Sequence, residues 1–300
     1  MTRVATLVSA HGQALLSDAL LATLAQAVRA SRAERLDGEI AADLFCDTED
    51  DRALEADIRA SLAGAPIDII VQPVATRRKA LFLADMDSTM IGQECIDELA
   101  AYVGLKDLVA GITERAMRGE IAFEPALRER VALLKGVNLK VVDEIIAERI
   151  TLTPGGKTLV ATMRARGGYT ALVSGGFTVF TGPLSATIGF DEHRSNTLLA
   201  DGGILTGKVL DPILGKQAKL DALLELRARF GLQFDQTLAI GDGANDLAML
   251  GEAGLGIAFR AKPAVAAAAH ARLDHADLTA LLYAQGYRAD EIVDHGVARS

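Results

Sequence analysis

The segment Asp85-Met86-Asp87-Ser88-Thr89 directly follows the apolar run Ala80-Leu81-Phe82-Leu83-Ala84. That run is too short for a helix with a core face of its own and reads as a buried strand. Strand side chains alternate, so Asp85, Asp87 and Thr89 are expected to leave it on the same side. Two carboxylates converging at a strand end repel each other, and a cation, a shared proton or water must offset the charge. A turn using Asp and Ser for backbone capping is the ordinary explanation of the same residues. What decides between the two lies downstream.

Residues 169–173 are expected to form a strand running into the turn Ser174-Gly175-Gly176, which opens a helix. The Ser174 hydroxyl and the N–H groups that follow it suit a phosphate oxygen. Residues 237–240 read as a strand ending in Gly241-Asp242-Gly243-Ala244-Asn245-Asp246, and Lys219 brings a compact positive charge on the helix before it. Singly, Ser-Gly-Gly and Gly-Asp-Gly are common turns and Lys219 a solvated helix lysine. Together they place carboxylates at separate strand ends, a donor set that suits Mg²⁺, which takes few protein ligands and keeps positions for water and phosphate.

The elements that position these groups follow from periodicity. Residues 4–9, 40–45 and 67–71 read as strands and 13–30 and 53–62 as helices, giving residues 1–76 a small α+β domain with no chemically active cluster. Its order is similar to ACT-type amino-acid sensing domains. A sensor and a dimerising domain, the latter making a homodimer, both remain open. Pro73 and the basic Thr76-Arg77-Arg78-Lys79, read as a solvated linker, mark the boundary. Residues 77–300 alternate strands and helices, which implies an α/β domain with a Rossmann-like, three-layer, mainly parallel sheet and ligands outside the strands' carboxyl ends. Ile96, Leu99 and Val103 recur at helical spacing, and 125–134 and 139–149 read as further helices. They form a helical cap at about 91–150, inserted as a lid after the first strand. Residues 196–200 and 204–209 flank Asp201-Gly202-Gly203 as a hairpin, 255–259 is a last strand, and 264–269 is helical.

Composition narrows the classes of function. Half of the 300 residues are hydrophobic, enough for a large core. A net charge of -9 argues against general nucleic-acid binding. Cys46 and Cys95 lack metal or disulfide spacing, and no run approaches the roughly eighteen apolar residues of a membrane span. A soluble, unexported, cytoplasmic protein without membrane or nucleic-acid partners is expected.

Asp85-Met86-Asp87-Ser88-Thr89, Ser174, Lys219 and Gly241 to Asp246 resemble the four signature motifs of the haloacid-dehalogenase-like phosphohydrolases. More narrowly, residues 80–263 are similar to the phosphoserine phosphatases among them. That likeness rests on Glu94-Cys95-Ile96-Asp97-Glu98, Glu114-Arg115-Ala116-Met117-Arg118-Gly119-Glu120, Leu127-Arg128-Glu129-Arg130-Val131, Ser174-Gly175-Gly176-Phe177 and Ala261-Lys262-Pro263. No family catalytic position departs from the pattern. The resemblance implies Mg²⁺-dependent hydrolysis of O-phospho-L-serine, the last step of serine biosynthesis, through an aspartyl-phosphate. In it Asp85 is the nucleophile and Asp87 the acid and base. Asp85, the Asp87 carbonyl and Asp242 hold the metal. Lys219 and Ser174 hold the phosphoryl oxygens, with Gly175 and Asn245 also against the substrate and Asp246 supporting the site. Glu94 takes the substrate ammonium, Arg130 its carboxylate, and Met117 and Phe123 screen the pocket, although both also suit ordinary lid core.

Other classes fare differently. Gly156-Lys157-Thr158 hints at a phosphate loop, but the glycine required five positions earlier is Thr151. Transfer of the phosphoryl group to an alcohol shares the same intermediate and stays open. A non-catalytic sensor needs a missing nucleophile or metal ligand, and none is missing.

Overall fold

The computed structural model describes residues 2–117 and 120–293, with only the backbone of Met117. In chain order the elements are β1 (Thr2–Ser9), α1 (Asp18–Ala27), β2 (Arg32–Asp37), β3 (Ala41–Asp47), α2 (Asp51–Leu62), β4 (Ile67–Pro73) and β5 (Leu81–Ala84). Four helices follow: α3 (Cys95–Tyr102), α4 (Lys106–Met117), α5 (Phe123–Leu133) and α6 (Val141–Glu148). Alternation then resumes with α7 (Gly156–Ala165), β6 (Tyr169–Phe177), α8 (Thr178–Ile188), β7 (Glu192–Asn196), β8 (Leu198–Asp201), β9 (Ile204–Val209) and α9 (Lys216–Arg229). The remainder is β10 (Thr237–Gly241), α10 (Leu247–Glu252), β11 (Leu255–Phe259), α11 (Pro263–Ala268), β12 (Ala271–Leu273) and α12 (Ala280–Ala284).

Six strands make one parallel sheet in the order β12-β11-β10-β5-β6-β7. Every residue of β5, β10 and β11 is buried, which is why these segments read as unbroken apolar runs. By contacts the chain divides into two compact units, one of residues 2–83, 153–170 and 223–293, the other of 84–152 and 171–222.

In the first unit β1 to β4 form an antiparallel sheet in the order β2-β3-β1-β4. With α1 and α2 between the strands this is a split βαβ arrangement. Helix α2 shows why the segment folds so. Asp50 caps it by accepting from Ala53 N–H, and Leu54, Ile58 and Leu62, each four residues on, form its buried stripe. They pack with Leu7, Leu44 and Ile69 of the sheet. Helix α1 starts at Asp18 rather than residue 13, because Ser17 accepts from Leu20 N–H and fixes its first turn there.

The basic segment before β5 is not a solvated linker. Arg77 reaches Asp43 through Nη1 to Oδ2 at 2.8 Å and Nη2 to Oδ1 at 3.1 Å, and also donates to the carbonyls of Tyr283 and Ala284. Lys79 is buried, donating to the carbonyls of Thr76 and Asp235 at 2.8 Å each. Buried cations persist where carboxylates and carbonyls converge on them, and no local pattern reveals partners hundreds of residues away. Gln72 adds a bond to the Ala284 carbonyl, and buried Asp68 accepts the N–H groups of Asp274, His275 and Ala276.

In the second unit α3 to α6 form the helical insertion after β5. Gly207 on β9, at φ 76°, is where that hairpin meets α5: a Cβ there would sit 2.9 Å from Lys135 Cβ and 3.2 Å from the Ala132 carbonyl.

Candidate active site

Strand β5 ends at Ala84, and the next residues form a single tight turn, Met86–Met90, instead of continuing the strand. Alternation therefore does not orient Asp87 and Thr89. Ser88 lies in the left-handed region at φ 53°, ψ 5°, and its neighbours' hydrogen bonds fix the turn. Asp85 accepts from Met86 N–H at 2.7 Å and pairs with Lys219 Nζ at 2.7 Å, both side chains being buried. Asp87 accepts instead from Cys95 N–H at 2.8 Å, at the start of α3, and from Ser174 Oγ at 3.1 Å.

These surroundings separate two chemically identical side chains. Burial raises the Asp87 pKa, and the Cys95 and Ser174 hydrogen bonds and the Lys219 charge offset that only in part. Burial, reinforced by the Asp87 charge, also raises the Cys95 thiol, leaving it an inert neighbour.

Strand β6 runs through Ser174-Gly175-Gly176 to Phe177, with a register shift against β7 between Val173 and Phe177, so the expected turn is an irregular strand end. Ser174 Oγ accepts from Gly176 N–H at 2.9 Å. A Cβ on Gly176 would lie 3.0 Å from both Asp87 Oδ2 and Ser174 Oγ, so glycine is what lets the backbone approach them. The Phe123 ring lies 3.6 Å from where a Gly175 Cβ would be and 3.5 Å from the equivalent point on Gly215. Phe123 thus sits beside the Ser174 segment, 41% exposed. Met117 ends α4, and its side chain lies outside the described residues.

Arg130, on α5, donates to Thr113 Oγ1 and the Ala126 carbonyl at 3.3 Å. Burial lowers its pKa, while the charges of Asp97 and Glu94 act in the opposite direction. Glu94 accepts from Ser88 Oγ at 2.6 Å. At the end of β10, Asp246 is fully buried and accepts from Gly243 N–H at 3.0 Å; Asp242 is half-buried and Asn245 exposed. A Cβ on Gly241 would come within 2.3 Å of the Asp246 carboxyl carbon. The described residues include acidic groups that could hold a metal ion, Asp85, Asp242 and Asp246 among them.

A family model of haloacid dehalogenase-like hydrolases matches residues 82–251. A phosphoserine phosphatase of Polaromonas is 45% identical over 207 residues, 67% of this chain and 88% of that one. The chain belongs to the haloacid dehalogenase-like hydrolases. Among other members, a phosphoserine phosphatase of Streptomyces coelicolor is 43% identical over 233 residues, 78% of this chain. The chain spans little more than half the length of that relative, 57%, and of SerB2 from Mycobacterium tuberculosis, 56%. An unliganded structure of a probable phosphoserine phosphatase from Vibrio cholerae superposes with a TM-score of 0.77 at 34% identity, covering 95% of this chain and 87% of that one. A substrate-bound phosphoserine phosphatase complex gives 0.63 at 38% identity, over 69% of this chain and 98% of that one.

Sequence reasoning missed several residues that shape this member of the haloacid dehalogenase-like hydrolases. Asn196 Nδ2 donates to the Gly175 and Leu214 carbonyls at 2.9 and 3.1 Å, and its Oδ1 accepts from Leu214 N–H at 2.7 Å. Thr113 and Asp97 flank Arg130, and Ser88 holds Glu94. Only Asp97 and Ser88 stood within quoted motifs.

Proposed function

We propose that the chain hydrolyses O-phospho-L-serine to L-serine and phosphate through a phosphorylated Asp85. One observation carries the reading: Asp85 and Asp87 lie two residues apart in opposed surroundings, the first against an ammonium, the second with a raised pKa. Such divergence supports distinct roles, a nucleophile held against the lysine and an acid that burial inclines to keep its proton. An Asp85 oxygen bonds to phosphorus as the phosphorus–serine oxygen bond breaks, and Asp87 gives its proton to the departing oxygen. Asp87, now ionised, takes a proton from water as the water oxygen attacks phosphorus. The Asp85–phosphorus bond breaks, restoring both carboxyl groups.

Ser174, Gly175 and Lys219 surround the phosphoryl oxygens in this reading. Glu94 meets the substrate ammonium and Arg130 its carboxylate, a bidentate task suited to a guanidinium. Met117 and Phe123 screen the pocket, and Asn245 completes it. The carboxylate and carbonyl donor set fits a hard cation. Asp85, the Asp87 carbonyl and Asp242 would hold Mg²⁺, with Asp246 fixing the loop that carries Asp242. When bound, Mg²⁺ offsets the repulsion between carboxylate and phosphate. We assign residues 77–300 to this chemistry, with 91–150 as its cap, and residues 1–76 to an ACT-like regulatory or dimerising domain, supported by the βαββαβ order of that segment. The two buried, unpaired cysteines fit a reducing cytoplasm.

The test is phosphate release by the purified chain from phosphoserine, phosphothreonine and aryl phosphates, with Mg²⁺ and with excess EDTA. Phosphoserine should be preferred, EDTA should stop turnover, and phosphate should equal serine released. No release from phosphoserine refutes the substrate, full activity in EDTA refutes the metal, and less phosphate than serine indicates transfer to an acceptor.

A further inference from the structure

We propose that Ser88 is a positioning residue that sets specificity for an amino-bearing substrate by holding Glu94. The proposal rests on the reading of Glu94 as the partner of the substrate ammonium. Glu94 is exposed, and a free glutamate at such a site samples many rotamers that a bound ammonium must first restrict. The Ser88 hydroxyl removes that freedom with a 2.6 Å hydrogen bond to Oε1, a short bond to a charged acceptor.

The backbone at Ser88 supports the assignment. Its φ of 53° is one that glycine adopts freely and an L residue adopts at a cost, and in this turn the Ser88 hydroxyl meets Glu94. The loop is closed at three successive levels: Asp87 Oδ1 accepts from Cys95 N–H, Ser88 N–H donates to the Gln93 carbonyl at 3.2 Å, and Ser88 Oγ donates to Glu94. Gln93 is itself fixed, accepting from Thr151 N–H and donating to Thr151 Oγ1 at 2.9 Å each. The loop that presents the leaving-group acid thus also presents the ammonium anchor, and Ser88 joins the two tasks. Arg130 feels the charges of both Asp97 and Glu94, so a Glu94 released by Ser88 has a guanidinium near enough to draw it off its held position.

The experiment compares phosphoserine with 3-phosphonooxypropanoate, the same molecule without its amino group, in wild type, Ser88→Ala, Ser88→Gly and Glu94→Gln, and in Ser88→Ala combined with Glu94→Gln. Both Ser88 variants should raise KM for phosphoserine by about tenfold, the scale of one hydrogen bond to a charged group, with kcat much less changed. They should change kcat/KM for the analogue by less than about twofold, since nothing there uses Glu94. In the Glu94→Gln background the Ser88 effect should vanish. Ser88→Gly matters because it relieves the left-handed backbone, so a loss shared with Ser88→Ala belongs to the hydroxyl. Equal losses on both substrates, or full additivity with Glu94→Gln, would overturn the proposal while leaving the substrate reading standing. A wild type indifferent to the amino group would overturn the substrate reading and the proposal with it.

Discussion

Replacing Arg77 with Met would leave Asp43 as a buried carboxylate without its cation. The Asp43 side chain is 1% exposed, and Arg77 supplies two of its hydrogen bonds, Thr6 Oγ1 a third at 2.7 Å. Breaking a buried pair by removing one partner costs roughly 3–5 kcal/mol. For a chain of this length that corresponds to a fall in Tm on the order of 10 °C. The loss should depend on pH in a defined direction. Burial already raises the Asp43 pKa above 3.8, outweighing Arg77 and Thr6. An acid held high favours folding most below its unfolded value and loses that contribution as pH rises through the folded value. Without Arg77 the folded value climbs further, so the deficit should be smaller near pH 4.5 and larger at pH 7.5. Asp43→Asn combined with Arg77→Met should recover part of it, because no charge is then stranded. Thermal melts followed by circular dichroism at the two pH values provide the assay. An Arg77→Met protein melting within about 2 °C of wild type at pH 7.5 would refute the reasoning, as would a deficit that shrinks toward neutral pH.

Two further outcomes are expected. Asp85→Asn should remove covalent labelling altogether, whereas Asp87→Asn should slow both half-reactions by roughly a hundredfold or more yet still become phosphorylated by an aryl phosphate, whose leaving group needs no proton. Mass spectrometry of the trapped protein locates the phosphate, and a label on Ser88, Ser174 or a histidine would overturn the mechanism. Burial pulls the Lys79 pKa from 10.5 down to about 8. Between those values the unfolded chain holds a proton that the folded chain has lost, so stability rises with pH. Relative to Lys79→Met, wild type should gain about 1 kcal/mol between pH 7.5 and 9. Parallel pH profiles of the two proteins in urea melts would show that Lys79 stays protonated.

The parts of the fold legible in the sequence were those with strong apolar periodicity. Segments such as β5, β10 and β11 are buried on both faces, and their composition announces it. The strands β2, Arg-Ala-Glu-Arg-Leu-Asp, and β7, Glu-His-Arg-Ser-Asn, were invisible because these edge strands are polar almost throughout. Their place comes from pairing with a neighbour, which composition does not encode. At the site, the aspartates and the Gly241 to Asp246 loop stood out because glycine and carboxylate spacing is unusual. Asn196 did not, since an Asn at the end of a strand has no local signature and its partners, Gly175 and Leu214, are 21 and 18 residues away. Arg77 and Lys79 were misread for the same reason. A run of cations looks solvated until the chain brings carbonyls to meet it.

The capture of the loop after β12 by Asp68 bears on how the chain is made. Asp68 waits some 206 residues for the N–H groups it accepts, and Gln72 waits 212 for the Ala284 carbonyl. During synthesis at about 5–20 residues per second, the first sheet would be complete for on the order of ten seconds or more before its last partners emerge. Through that interval Asp68 and Gln72 must be hydrated, so the nascent sheet is less stable than the finished one and its polar edge stays open. Contacts of such long sequence separation also slow folding. The first sheet can therefore form early, but its last hydrogen bonds belong to the end of translation.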